Sequence, residues 1–282
     1  MTGFINIDKA EGVSSAREVA KIKRLTGMPC GHMGTLDPMA SGVLPVAVGN
    51  ACRLFDYFLT KEKKYVADFR FGEEYDTLDI TGTLTASGGR IPAESEIIAI
   101  IPALTGEIMQ VPPKYSAKSV NGKRGYQLAR SGEDFTLPPK KVIISAIKLS
   151  ERRDENTFSF EIECGGGTYV RSIVRDMAAM LNTVGCMSAL KRVASGPFKI
   201  EHAVKTEALT EENIRNFFIP CDSVIALKEI HADKAQWRKL SNGVAVNCGM
   251  EDGLYKIYDD REVFYGLAEV NCERLKVRTK LC

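Results

Sequence analysis

The chain has 282 residues, 44% of them hydrophobic and 26% charged, with a formal net charge of +2. That balance is ordinary for a globular protein and leaves room for one large domain plus a small one. It excludes a chain that is basic throughout, so a polyanionic partner would have to be held by local patches.

Residues 4–7 alternate as a short strand. Ser15 and Glu18 stand in capping-box spacing, Val19, Ile22 and Leu25 fall on one helical face, and Gly27 is placed to stop the helix. Residues 43–48 read as a buried strand, and Asn50 as the cap of a helix carrying Leu54, Phe55 and Phe58. From residue 64 to 72 the period is two: Tyr65, Ala67, Phe69 and Phe71 share one face, and Val66, Asp68 and Arg70 the other. Residues 93–104 form an isoleucine-rich helix, and Asn121 with Gly122 signals a tight turn. Residues 141–149 and 157–164 flank a polar turn as a hairpin. Three glycines at 165–167 lead into a helix that lines up Val170, Ile173, Val174, Met177 and Leu181. Residues 210–218 read as a further capped helix, and residues 230–282 as compact and β-rich. Strands and helices mix without a steady strand–helix–strand rhythm, so the expectation is an α+β fold with a mixed, mostly antiparallel sheet.

Several chemistries find no support. The eight cysteines contain no Cys-x-x-Cys pair, and His32, His202 and His231 have no metal-ligand spacing, so no metal is expected. No apolar run approaches the roughly 20 residues that span a bilayer, and the N-terminus lacks a basic region followed by an apolar signal core. A cytoplasmic protein that does not engage membranes is expected. One basic stretch stands out: residues 114–141 carry seven lysines and arginines, among them Lys114, Lys118, Lys123 and Arg124, against two acids. Such a run is either a solvated face or a grip on nucleic-acid phosphates.

The densest chemistry lies in residues 31–50, GHMGTLDPMASGVLPVAVGN. Asp37 stands between a glycine-rich loop bearing His32 and an apolar run, and Pro38 biases it away from helical angles. Taken singly, an Asp before a Pro is a common turn residue. As a block, these positions resemble the signature of the TruB family of tRNA pseudouridine synthases. Three further segments match that family in order: residues 63–72 with Tyr65, residues 76–82 with Asp79, and residues 166–173 with Tyr169 and Arg171. Residues 190–198, starting at Leu190, resemble its closing motif.

The resemblance implies the pseudouridine-synthase catalytic fold over residues 1–229, with residues 114–141 inserted as an RNA-gripping loop. Residues 230–282 resemble a small PUA-like RNA-binding domain. It implies isomerisation of uridine 55 in the T-arm loop of tRNA, with no cofactor. Asp37 would be the catalytic nucleophile and Arg171 its partner. Tyr65 would stack on the base and assist proton abstraction, and Tyr169 and Leu190 would line the base pocket. His32 would contact the RNA, Asp79 would support the site or be a plain turn residue, and Lys114, Lys118, Lys123 and Arg124 would hold the RNA backbone. No obligatory protein partner is implied, and a monomer is expected. Two alternatives stay open: a guide-RNA-dependent relative, which shares the Gly-x-Leu-Asp-Pro loop, and a non-catalytic RNA-binding or RNA-folding protein on the same scaffold.

Overall fold

The computed structural model describes residues 2–116, 119–120, 123–124 and 135–281. In chain order the first strands are β1 (Gly3–Lys9), β2 (Cys30–His32), β3 (Ser41–Val48), β4 (Lys63–Phe71), β5 (Glu73–Tyr75), β6 (Leu84–Ser87) and β7 (Gly106–Gln110). They continue as β8 (Ser119–Val120), β9 (Lys123–Arg124), β10 (Lys140–Arg152), β11 (Thr157–Cys164), β12 (Gly185–Ser195), β13 (Phe198–Lys199) and β14 (Ile219–Pro220). The last five are β15 (Glu229–His231), β16 (Val246–Asn247), β17 (Gly253–Tyr258), β18 (Phe264–Asn271) and β19 (Arg274–Lys280). The α-helices are α1 (Ser15–Thr26), α2 (Phe55–Leu59), α3 (Glu94–Ile100), α4 (Val170–Met180) and α5 (Lys234–Leu240).

The fold is α+β. Its main sheet runs β14-β1-β3-β12-β4-β11-β10-β7, with β2 added beside β3 and β13 beside β12. Its pairings are antiparallel except where β12 runs parallel to β3, with Lys191 opposite Ser41 and Arg192 opposite Gly42. The alternation in β4 places Tyr65, Ala67, Phe69 and Phe71 in the main core, against the apolar side of α4 and the phenylalanines of β11. A second sheet, β15-β17-β18-β19-β16, has its own core around Leu240, Tyr255, Ile257 and Leu275. It meets the body through Leu267 and Leu281, which join Phe4, Val43 and Ala47 in a shared apolar cluster.

Four local expectations need correction. The cap of α1 is Ser14, whose hydroxyl accepts from Arg17 N at 3.3 Å. Ser15 instead faces inward, giving its hydroxyl to Leu36 O at 2.8 Å and accepting from Leu36 N at 2.9 Å. Glu18 is likewise buried and holds the Thr206 hydroxyl. Asn50 caps nothing: residues 49–54 form a 3₁₀ turn, and the Asn50 amide donates to Leu281 O in the second sheet. The helix expected at 210–218 is only a 3₁₀ turn, Ile214–Phe217, and that at 93–104 splits into α3 and a 3₁₀ turn, Ile101–Leu104. Propensity and capping patterns describe the local chain; at these places tertiary hydrogen bonds claim the same polar groups.

Within residues 114–141, β8 pairs antiparallel with β9. Lys118, the turn expected at Asn121 and Gly122, and residues 125–134 lie outside the described residues, as do the side chains of Lys123 and Arg124.

Candidate active site

The site forms where the parallel β3–β12 junction meets the loop before β3. Two glycines make the approach possible. A side chain at Gly42 would place its Cβ 2.2 Å from the Arg192 carbonyl oxygen, at a φ of +97° that favours glycine. A Cβ at Gly166 would lie 1.7 Å from the Leu59 carbonyl oxygen, so only glycine lets the loop before α4 close against the end of α2.

These elements enclose a cleft of about 690 Å³, within the size range of small-molecule sites. It gathers residues far apart in sequence: His32, Asp37, Tyr65, Tyr169, Arg171 and Leu190, with Arg192 at its base. Phe55 and Leu59 stand at its rim, both partly exposed.

Asp37 lies in the loop with its side chain 34% exposed, and its Oδ2 is 2.9 Å from Arg171 Nε. Burial pushes the Asp37 carboxyl above the usual carboxylate range, and the nearby Asp79 charge adds to that; the Arg171 guanidinium pulls the other way. Arg171 is itself only 7% exposed. It donates from Nη1 to Thr77 O at 2.9 Å and from Nη2 to Tyr115 O at 3.1 Å, and its Nη1 is 3.6 Å from Asp79 Oδ2. Every nitrogen of the guanidinium therefore has a partner, and the fork leaves Nε aimed at Asp37.

Asp79 is no solvated turn residue. It is 4% exposed, and its Oδ1 accepts from Thr77 Oγ1, from Thr81 N and from Thr81 Oγ1. The preceding Leu78 adopts a φ of +63°, an uncommon conformation for a non-glycine residue. The turn is pinned by Met187 N donating to Leu78 O at 3.0 Å and Ile80 N to Met187 O at 3.1 Å. Tyr169 stands at the N-cap of α4 and makes no capping bond with its side chain. Gln110 supplies one from the sheet edge, accepting from Tyr169 N at 2.8 Å and donating to Tyr169 O at 3.2 Å. That link fixes the first turn of α4, and with it the direction of Arg171.

Tyr65 is 8% exposed, at the inner end of the cleft. Burial raises its phenol pKa; the neighbouring Arg192 opposes this without reversing it. Burial, and then the same Arg192, lower the His32 pKa, and its buried Nδ1 finds no hydrogen-bond partner among the described residues. Leu190 is buried in the core and also lines the cleft. Lys114 is exposed, next to Tyr115, whose hydroxyl donates to Asp76 Oδ2 at 3.2 Å.

Sequence reasoning missed the residues that hold the Asp37 loop by its backbone. Arg192 is 1% exposed and donates to Val43 O at 2.7 Å, Gly34 O at 2.9 Å and Thr35 O at 3.4 Å. Lys9, fully buried, donates to Ala10 O at 2.9 Å, Val13 O at 2.6 Å and Pro38 O at 3.2 Å. Ser15 grips Leu36 from the other side. Lys63, its pKa lowered to about 8 chiefly by burial, ties together the carbonyls at the end of α2. Little in the sequence signals this: Arg192 follows another charged residue, Lys191, in β12, and Lys9 follows Asp8 in β1.

A carboxylate held by a guanidinium in a cleft lined by Tyr65 and Tyr169 places a charged group against any bound molecule that enters. Comparison with known proteins says which family. The family model for the N-terminal domain of TruB family pseudouridylate synthases matches residues 18–170, and that for the tRNA pseudouridylate synthase B C-terminal domain matches residues 171–226. The chain belongs to the TruB family of pseudouridylate synthases. The two matches meet inside the first turn of α4, within the main body of the fold.

The chain is 37% identical over 275 residues to the tRNA pseudouridine synthase B of Clostridium kluyveri, covering 95% of both chains. It is 34% identical over 279 residues to that of Caldanaerobacter subterraneus subsp. tengcongensis, covering 97% of both. A solved H/ACA RNP bound to a substrate RNA containing 2′-deoxyuridine contains a chain with the same fold, at a TM-score of 0.74 and 23% identity, covering 99% of this chain and 85% of that one.

Proposed function

We propose that this chain is a stand-alone tRNA pseudouridine synthase of the cytoplasm, acting as a monomer on uridine 55 of the T-arm loop. The observation that carries the reading is the Asp37–Arg171 pair, 2.9 Å apart, facing a cleft walled by Tyr65, Tyr169, Leu190 and His32. Near full-length likeness to proteins named tRNA pseudouridine synthase B supports the substrate.

The reaction breaks the bond between uracil N1 and C1′ of the ribose, turns the base, and joins C5 to C1′; the C5 proton leaves and one returns to N1. No atoms enter or leave and no electrons are transferred to an acceptor. Asp37 supplies the nucleophile, kept ionised and aimed by Arg171. The target base is out of reach while stacked, so the nucleotide flips out at a cost of a few kcal/mol. Stacking on Tyr65 and Tyr169 offsets part of that, at about 1–3 kcal/mol per base. Tyr65 stacks on the base and assists proton abstraction, and burial raises its phenol pKa. His32 lines the cleft, where it contacts the RNA. Asp79 holds Arg171 in place. Lys114, Lys118, Lys123 and Arg124 in the 114–141 insertion bind phosphates, and the second sheet, over residues 230–282, serves as a PUA-like RNA-binding domain beside a catalytic domain of residues 1–229.

The direct test is to incubate the purified protein alone with an unmodified T-arm stem-loop and measure pseudouridine. Stoichiometric conversion of the target uridine is expected. Conversion only with an added guide RNA would instead place the chain with guide-dependent enzymes, and no conversion of any tRNA would leave a binding protein.

The pH profile gives a second expected result. Asp37 must be ionised to act, so kcat/KM falls as the pH drops through its pKa. Burial sets that pKa above the usual carboxylate range, and Arg171 works against the rise. In Arg171→Met the opposing charge is gone, so the acid limb should move to higher pH. In Arg171→Lys the charge stays and the limb should move less, although the lost fork lowers the plateau. A limb that stays at its original pH in Arg171→Met would show that another group controls it.

A further inference from the structure

We infer that the exposed face of α1 is a phosphate-binding ridge that carries the RNA backbone away from the cleft, an inference that rests on the RNA-modifying reading above. The first turn of α1, at Ser14, Ser15 and Ala16, forms part of the cleft wall. The helix then runs outward. Its inner side is anchored by Ser15, Glu18 and Ile22, all buried. Its outer side carries Arg17, Lys21 and Arg24, spaced four and three residues apart and therefore on one stripe. At 1.5 Å per residue, the stripe extends about 10 Å from Arg17 to Arg24.

These three cations border a second groove of about 430 Å³, whose lining residues Val13 and Arg17 flank in sequence the Ser14, Ser15 and Ala16 of the cleft wall. Lys21 has a partner, Glu207, at 3.8 Å. Arg17 and Arg24 are exposed, and neither has an ion-pair partner among the described residues. The carboxylate of Glu18, which also borders the groove, is turned inward onto the Thr206 hydroxyl. The groove therefore presents two guanidiniums without an ion-pair partner among the described residues and one ammonium paired with Glu207, against the carboxylates of Glu18 and Glu207 that also line it. A phosphodiester backbone fits it: regularly spaced anions, entering from a cleft that already holds one nucleotide of the same strand. The cleft-lining N-terminus of α1 places its positive dipole end at the start of that track. An isolated nucleotide would not reach Arg24, so the ridge selects for RNA that extends beyond the target loop.

The test uses the full chain and an unmodified T-arm stem-loop. Arg17→Gln with Arg24→Gln changes two exposed positions of a well-packed helix, and an unchanged thermal midpoint checks the fold. Affinity should fall about 10-fold, and the slope of log K against log salt should flatten by about 1.4–1.8, from about 0.7–0.9 for each of two lost phosphate contacts. Single-turnover conversion at saturating RNA should stay within about two-fold of wild type, since neither residue borders the cleft. Glu207→Gln, which frees Lys21, should tighten binding. Unchanged affinity and slope in the double variant would overturn the ridge while leaving the activity reading intact. A flattened slope in the double variant, with a wild-type protein that binds the RNA but makes no pseudouridine, would overturn the activity reading and leave the ridge. A wild-type protein that does not bind the stem-loop would overturn both.

Discussion

Asparagine in place of Asp37 is expected to lower pseudouridine formation by about 10⁴-fold or more, the usual scale for removing a nucleophile, while RNA binding stays within a few-fold of wild type. The substitution keeps the shape of the side chain and leaves its amide oxygen able to accept from Arg171 Nε. Only the ionised carboxylate is lost. Arg171 keeps Thr77 O, Tyr115 O and Asp79, so the cleft should hold its form. Stability supports the distinction. The Asp37 pKa is raised in the folded chain, so the folded state gains from protonation at low pH and loses that gain as the pH rises through the folded pKa. A neutral asparagine escapes this loss, and the thermal midpoint near neutral pH should not drop. The measurement is single-turnover conversion of the stem-loop alongside a filter-binding isotherm. A variant that still converts RNA at a rate near wild type would remove Asp37 from the chemistry.

The second large effect is expected at Arg192, which never touches the reacting atoms in this reading. Arg192→Met should destabilise the protein by about 3 kcal/mol or more, because three buried carbonyls lose a charged donor at once and each unmet acceptor costs about 1–3 kcal/mol. Relief from burying a guanidinium near Lys9, Lys63 and His32 offsets only part of this. Those carbonyls belong to Gly34, Thr35 and Val43, on either side of Asp37. The loop should therefore loosen, and kcat should fall by more than the stability loss alone explains. Arg192→Lys should rescue little: Arg192 reaches its three carbonyls from three separate nitrogens, Nε, Nη1 and Nη2, and a single ammonium on a shorter stem cannot stand at all three places. Denaturant midpoints and single-turnover rates on both variants decide the matter. Wild-type stability and rate in Arg192→Met would show that the loop is held by Lys9 and Ser15 without it.

Asp37, Tyr65, Tyr169 and Arg171 stood in recognisable motifs, because the chemistry demands particular side chains and the turns around them demand glycine and proline. The alternation in residues 64–72 located β4, since one buried face and one half-buried face leave a period of two. Helix ends were less legible. Ser15 and Glu18 satisfied a capping pattern, yet Ser15 binds Leu36 and Glu18 binds Thr206, partners 21 and 188 residues away. Asn50 followed the same course toward Leu281, 231 residues away.

The sequence by itself determined the family, the α+β class and most of the side chains that line the cleft, because those rest on local periodicity and on short runs of required residue types. Only the tertiary structure decided how Asp37 is held. The grip comes from Arg192, Lys9 and Ser15 acting on backbone carbonyls and amides, groups that every residue possesses and that leave no mark in sequence. The Asp37 pKa is likewise set by burial and by Asp79 and Arg171, charges brought close by folding. A carboxylate's identity is written locally, whereas its electrostatic environment is a sum over neighbours that exists only once the chain is packed.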